Sequence, residues 1–343
     1  MIPKHDARQE LFHLAMFGHL HFQSLWAGIE LGIFELLHAR GPLGLDEIAA
    51  ATGLAIQPAK MVMANLVALD TVERTGERFD LNEVSRRFLL QSSPDSVVAV
   101  MRWQALIVYP GVQDYVRALR DNRNTGLERF PGPGRTLYER LAANPQLEQV
   151  FQEAMAGMPS NRFLPEVLPL QGHEHLCDCG GGAGRNAVAL CRKHPALRVT
   201  IFDQPTVCRK AQERVAAEGL ADRIDTHAGN FLQDPFPPGM DAVLYSHIGS
   251  IFSPQTNVSV FRRACAALPP GGRLFIFNMV PRDDHSGPLS VTCGSVYFHA
   301  LATGEGFMHS VPEYEAMLRE AGFGRTECIR PLPVEHALVI GIK

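Results

Sequence analysis

Apolar side chains recur at near-helical spacing through residues 11–37. Leu14, Phe17, Leu25, Ile29, Ile33 and Leu36 form the stripe, and the pattern predicts one long helix stopped by Gly41-Pro42. A short helix is expected over 45–53, with Gly53 as its left-handed cap, and another over 58–69. Val72-Glu73-Arg74 and Arg78-Phe79-Asp80-Leu81 flank Gly76, a hairpin signal. Helices followed by a hairpin make residues 1–100 an all-helical, winged-helix unit. Residues 101–165 read as helix again, broken at Phe130-Pro131-Gly132-Pro133-Gly134. A helix over 137–158 is expected to stop at Pro159. This middle segment is expected to link the two domains and cover a pocket. Over 166–343 the rhythm becomes strand, glycine turn, helix, with strands expected near 176–179, 197–203, 224–228, 241–244 and 273–279. That alternation predicts an α/β domain, a Rossmann-like doubly wound parallel sheet covered on both faces.

Composition narrows the function classes. The chain has 343 residues, 46% hydrophobic and 20% charged, which suits one large core with an accessory region and excludes long disorder. A net charge of -4 argues against a broad nucleic-acid footprint. The helix expected at 58–69 carries only Lys60 as a base, so the winged unit is expected to dimerise rather than to read DNA. His19, His21, Phe22 and Trp26 fit a packed dimer core, with a reach into the partner's site as the alternative. No apolar run approaches the roughly 20 residues that span a bilayer, so no membrane partner is expected. The opening residues carry charges and lead into no signal-type apolar stretch. Seven cysteines lie in apolar or helical contexts, among them Cys177, Cys191 and Cys265. Reduced thiols, a cytoplasmic location and no metal are the expectations.

Asp178-Cys179-Gly180-Gly181-Gly182-Ala183-Gly184 carries the most chemistry. Glycines at a strand-to-helix turn allow a tight bend and close approach of a ligand. A dinucleotide site is the main rival reading, but a carboxylate aimed into a pyrophosphate pocket repels its ligand. An acidic residue there suits a cofactor with an amino group and a sulfonium and no phosphates. Asp203 ends the next strand, 25 residues on, where a carboxylate accepts both ribose hydroxyls. Gly229-Asn230-Phe231 ends the third strand and is placed to flank an adenine.

These segments, with Phe202-Asp203-Gln204-Pro205-Thr206-Val207 and Leu268-Pro269-Pro270-Gly271-Gly272, resemble the S-adenosylmethionine-dependent small-molecule methyltransferases. The group of plant caffeic-acid-type and bacterial antibiotic or pigment methyltransferases is the nearest in pattern, and the likeness spans nearly the whole chain. It implies S-adenosylmethionine as cofactor, a small aromatic acceptor and a homodimer. Carried over, Asp178 and Gly180 line the methionine part, Asp203 holds the ribose, Asn230 and Phe231 flank the adenine, and Gly182, Gln204 and Ser246 are further cofactor-binding candidates. The family usually has aspartate where Asn230 stands, and the amide oxygen is expected to take the adenine amino group instead.

The same resemblance places a His-Asp-Trp triplet, whose histidine is the base, at Ser250-Ile251-Phe252, and a lysine or arginine near the cofactor at Ser246. Both are replaced here. His247 becomes the candidate base, since an imidazole of ordinary pKa suits proton abstraction, and Tyr245 a candidate to orient substrate or carry a proton. A hydrogen-bonded wall histidine is the plainer reading of His247. Tyr297, His299, Glu305 and Met308 fall where the family builds its acceptor pocket, with Arg102 and Trp103 added from the middle segment. Tyr297 and Phe298 are expected to sandwich a flat acceptor or simply to pack. The departures resemble branches that methylate carbon. Methylation of a ring carbon beside a hydroxyl is therefore expected, with O-methylation, or cofactor binding without turnover, as alternatives.

Overall fold

The computed structural model describes residues 7–158 and 162–343, and divides into two compact units. One comprises Met1–Tyr109 with Gln146–Met158, the other Pro110–Pro145 with Pro159–Lys343. Residues 101–165 are thus shared between the units. The expected stop at Pro159 lies outside the described residues.

In the first unit the long apolar stripe is broken. Ala7–Glu30 and Ile33–Arg40 are separate helices, because Gly32 turns left-handed between them (φ 69°). Leu45–Thr52, capped by Gly53, and Ile56–Ala68 follow as expected. Strands β1 (Leu43–Gly44), β2 (Val72–Thr75) and β3 (Arg78–Leu81) pair in the order β1-β3-β2, so the predicted hairpin is a true wing. Phe34, Leu37, Ile48, Met63, Leu66 and Phe79 form the core beneath it. The single helix expected over 137–158 is two, Leu137–Leu141 and Pro145–Ala156. Pro145 opens the second, and a proline disfavours helical geometry at the residue before it.

The second unit is built on seven strands: β4 (His175–Cys179), β5 (Arg198–Asp203), β6 (Ile224–Ala228), β7 (Ala242–Ser246), β8 (Arg273–Met279), β9 (Arg325–Leu332) and β10 (His336–Ile342). Their order is β6-β5-β4-β7-β8-β10-β9. The five expected strands are parallel to one another. β10 alone is reversed, pairing antiparallel with both β8 and β9, so the sheet is mixed rather than purely parallel.

Alternation along the strands sorts side chains between two cores. Cys177, Cys179, Val243, Tyr245 and Ile276 face one, Leu176, Leu244, Phe275, Phe277 and Leu338 the other. By the same period, Asp178 shares the face of Leu176, and Ser246 that of Leu244. Leu244 pairs with Asp178 and Ile201 also pairs with Asp178. Two residues further on, Ser246, Gly180 and Asp203 therefore stand level at the carboxyl edge of the sheet, where open α/β sheets bind ligands.

Candidate cofactor and active site

The turn after β4 runs through Gly180, Gly182 and Gly184 at φ 70°, 56° and 77°. Its path is fixed by Gly180 N–H, which donates to the Phe202 carbonyl at 2.8 Å. A side chain at Gly180 would meet Ile248 Cδ1 at 2.7 Å, and one at Gly181 would fill the space in front of the Asp178 carboxylate, at 2.7 Å. The bare backbone thus keeps a cradle open above that carboxylate.

Asp178 is 1% exposed, and neither of its oxygens has a hydrogen-bond partner. Burial, reinforced by Asp203, pushes its pKa up to about 7. A buried carboxylate without a partner is costly unless a cation joins it. Asp203 is pinned differently. It accepts from Gly182 N–H at 2.9 Å and from Gln204 N–H at 2.7 Å, which fixes its plane at the strand end. Its pKa is nonetheless raised, burial outweighing those two donors. Gln204 is the exposed N-cap of the helix Pro205–Ala217. Phe231 packs edge-on against Phe202, Tyr245 and Phe252, with ring centroids 6.0–6.4 Å apart.

An ammonium for Asp178, a diol for Asp203 and a flat base beside Phe231 are what S-adenosylmethionine offers, and the Asp178 carboxylate beside the glycine turn would repel a pyrophosphate. The residues present fit that group. A model of the O-methyltransferase domain matches residues 112–324, and one of the O-methyltransferase dimerisation domain matches residues 14–91. The chain belongs to the S-adenosylmethionine-dependent O-methyltransferase family.

This methyltransferase is 36% identical to an L-tyrosine C(3)-methyltransferase of Streptomyces lavendulae, over 96% of this chain and 91% of that one. It is 32% identical to a 3-hydroxy-5-methyl-1-naphthoate 3-O-methyltransferase of Streptomyces sahachiroi, over 94% and 91%. Among solved structures it resembles the S-adenosylmethionine-dependent methyltransferase SibL in its apo form. The TM-score is 0.83 and the identity 37%, over 97% of this chain and 98% of that one. Human N-acetylserotonin methyltransferase in complex with S-adenosylmethionine shares the fold, with TM-score 0.86 and 24% identity over 100% and 99% of the chains.

The candidate acid–base residues of this methyltransferase sit differently from expectation. Tyr245 is fully buried on the far face of β7, its hydroxyl donating to Asn257 Oδ1 at 3.0 Å. Burial holds its pKa well above the phenol range. It is a core residue with its hydroxyl held by Asn257. His247 Nε2 lies 2.9 Å from His336 Nε2, and its Nδ1 lies 3.1 Å from Ser246 Oγ. Burial, then the neighbouring His336, lowers its pKa to about 3. Both nitrogens are thus engaged, the arrangement that the wall-histidine reading expects, and the lowered pKa weakens the ring as a base.

No imidazole projects from the position where the family resemblance sets one. Ser250 is buried there, its Oγ accepting from Asn278 Nδ2 at 3.4 Å, with Tyr314 packed against Gly249. Two side chains that local pattern did not reveal organise this turn. Asn257 Nδ2 donates to the Gly249 carbonyl at 2.7 Å and to that of Phe252 at 3.3 Å. His309, 1% exposed, places Nε2 at 3.1 Å from the Phe252 carbonyl. Asn230 Oδ1 accepts from Leu232 N–H at 3.0 Å, which leaves the oxygen a second lone pair.

The acceptor candidates fall in both units. Arg102 and Trp103 lie in the helix Val98–Trp103 of the first, and Trp103 is buried. In the second, Tyr297 is buried and hydrogen-bonded to Tyr138, with Phe298 tilted 64° to it, which is packing rather than a parallel sandwich. His299 Nε2 lies 3.3 Å from the Ala118 carbonyl. Glu305 is exposed and accepts from Thr256 Oγ1 at 3.1 Å. Met308 is buried, its sulfur against Gly294. Among the described residues no group of three or more His, Cys, Asp or Glu side chains is arranged to hold a metal, and no helix is long and apolar enough to cross a membrane.

Proposed function

We propose that this methyltransferase acts on a small aromatic acceptor bearing a hydroxyl, and that the hydroxyl oxygen takes the methyl group. The buried, unpartnered Asp178 carboxylate beside the glycine turn carries the cofactor half of this reading. The acceptor half is supported by likeness. Two relatives above 30% identity are named for L-tyrosine and for a hydroxynaphthoate, both hydroxylated aromatics. Transfer to oxygen is specified in most of the relatives' names.

When bound, S-adenosylmethionine supplies an electrophilic methyl group. The chain's part is to hold it: Asp178 takes the ammonium, Asp203 the ribose hydroxyls, and Asn230 and Phe231 border the adenine. An acceptor aligned with the methyl gains from proximity alone. With Ser250 in place of an imidazole, the phenolic proton is not removed at that position. The rate is therefore expected to climb with pH toward the acceptor's own phenol pKa, about 10 for a tyrosine side chain. A plateau above pH 7 that disappears in His247→Asn would instead restore His247 as the base.

A second reading, transfer to the ring carbon beside the hydroxyl, is favoured by the tyrosine C(3)-methyltransferase at 36% identity. A phenolate is nucleophilic at both atoms, and only its orientation decides between them. The test uses 13C-methyl-labelled cofactor with L-tyrosine and simple hydroxynaphthoates. A labelled methoxy carbon with all ring protons retained supports O-transfer. A labelled aryl methyl with one ring proton lost supports C-transfer. No labelled product from any hydroxylated aromatic removes the proposed acceptor class.

We also infer a homodimer. Leu11, Phe12, Leu14, Met16, Phe17 and Leu20 of the first helix are 42–64% exposed, so this stretch presents apolar surface in need of cover all round the helix. Light scattering is expected to give twice the chain mass. The double variant Phe12→Glu, Phe17→Glu is expected to run as a monomer, and an unchanged mass in that variant would exclude this face from the interface.

A further inference from the structure

His336 opens β10, 89 residues from His247 in sequence, yet the fold brings their rings together at the carboxyl edge of the sheet. His336 is 3% exposed and stacks on Phe277, with centroids 4.8 Å apart, while Phe163 meets both rings edge-on. Its Nδ1 faces two backbone carbonyls, Val334 at 2.6 Å and Pro333 at 3.2 Å. Carbonyls only accept, so Nδ1 carries the hydrogen. In a neutral ring, Nε2 is then an acceptor.

That assignment propagates. The 2.9 Å contact between the two Nε2 atoms needs one hydrogen, which His247 Nε2 must supply. His247 Nδ1 is then a lone pair, and the 3.1 Å contact with Ser246 takes the serine's hydrogen. The backbone holds the relay in this state. His247 sits at φ 56°, and Val334 and Glu335, the two residues before His336, at 54° and 57°, all three in a region that non-glycine residues seldom enter. A β-branched valine there marks a conformation imposed by its surroundings.

Ser246 stands level with Gly180 and emerges on the face that carries Asp178. We propose that His336 is a positioning residue for cofactor binding: acting through His247, it draws the Ser246 hydroxyl hydrogen inward, so that the serine oxygen meets the cofactor's α-ammonium as an acceptor. The ammonium has three hydrogens. Asp178 takes part of that set and Ser246 completes it. This inference rests on the cofactor reading of the glycine turn.

The test is titration calorimetry with S-adenosylhomocysteine on the full chain. Wild-type protein that fails to bind would remove the cofactor reading itself, separately from the relay. Given binding, His336→Phe keeps the stacked ring but removes the acceptor that His336 Nε2 offers His247 Nε2–H. His247 then changes tautomer and the serine hydrogen turns outward. Kd is expected to rise roughly tenfold, as for loss of a hydrogen bond to a charged group. Ser246→Ala is expected to match it. Ser246→Ala with His336→Phe is expected to be no worse than Ser246→Ala alone, because the second change acts only through the first. His336→Gln, which keeps an acceptor and a donor, is expected to bind like wild type. Unchanged affinity in His336→Phe, or losses that multiply in the double variant, would overturn the relay. Should His336→Phe not fold, imidazole 15N shifts of the wild-type chain decide. Nδ1–H on His336 with Nε2–H on His247 supports the proposal, and the reverse pair ends it.

Discussion

Replacing Asp178 with asparagine is expected to weaken S-adenosylhomocysteine binding by about 2–5 kcal/mol, the usual cost of breaking a buried charge pair. The same change is expected to stabilise the ligand-free chain above pH 7. Both follow from one buried carboxylate with no partner. Its pKa stands at about 7, against an ordinary 3.8. In that interval the folded chain holds a proton that the unfolded chain has lost. The group's contribution to stability is therefore full below pH 3.8 and falls as pH rises through 7. Asparagine removes the ionisation and hence that loss.

Cofactor binding has the opposite slope, because the ammonium favours the ionised carboxylate. Below pH 7 each binding event releases a proton, and affinity rises with pH, levelling off above 7. Calorimetry in buffers of different ionisation enthalpy reads the proton directly. A pH-independent Kd between pH 5 and 8, with no proton released, would show that Asp178 does not meet the ammonium.

The reasons this site was legible are local. A strand with an acid next to its end, a run of glycines and a helix follow one another over residues 175–193, and Asp203 repeats the strand-end acid one βα unit later. The wing was legible for the same reason, its strands meeting across Gly76. What escaped needed information from far along the chain. Tyr245 and Ser246 are neighbours, and only the strand's two-residue period decides which faces the core and which the edge. No local signal set that phase. His336 reaches His247 through an antiparallel strand that Pro331 and Pro333 disguise, although Ala337-Leu338-Val339-Ile340 is an apolar run of strand length. Asn257 lies inside the helix Pro254–Ala267 with nothing nearby to mark it. The break at Gly32 hid in an apolar stripe that continues in phase across it.

Asn257→Leu is expected to cost about 3–5 kcal/mol in stability, on the order of 1–3 kcal/mol for each buried group left without a partner. Asn257 is fully buried and serves the Gly249 carbonyl, the Phe252 carbonyl and the Tyr245 hydroxyl at once. The turn it fastens holds Ser250. Tyr245→Phe leaves only Asn257 Oδ1 short of a donor and is expected to cost about 1–2 kcal/mol. Because the two share one hydrogen bond, the double variant is expected to lose less than the sum of the single losses. Urea unfolding of the four proteins measures this coupling. A proton carrier at position 245 would behave in the reverse way, with turnover falling steeply in Tyr245→Phe while stability held. The phenol's place on the far face of β7, with Asn257 as its partner, predicts lost stability and a retained reaction.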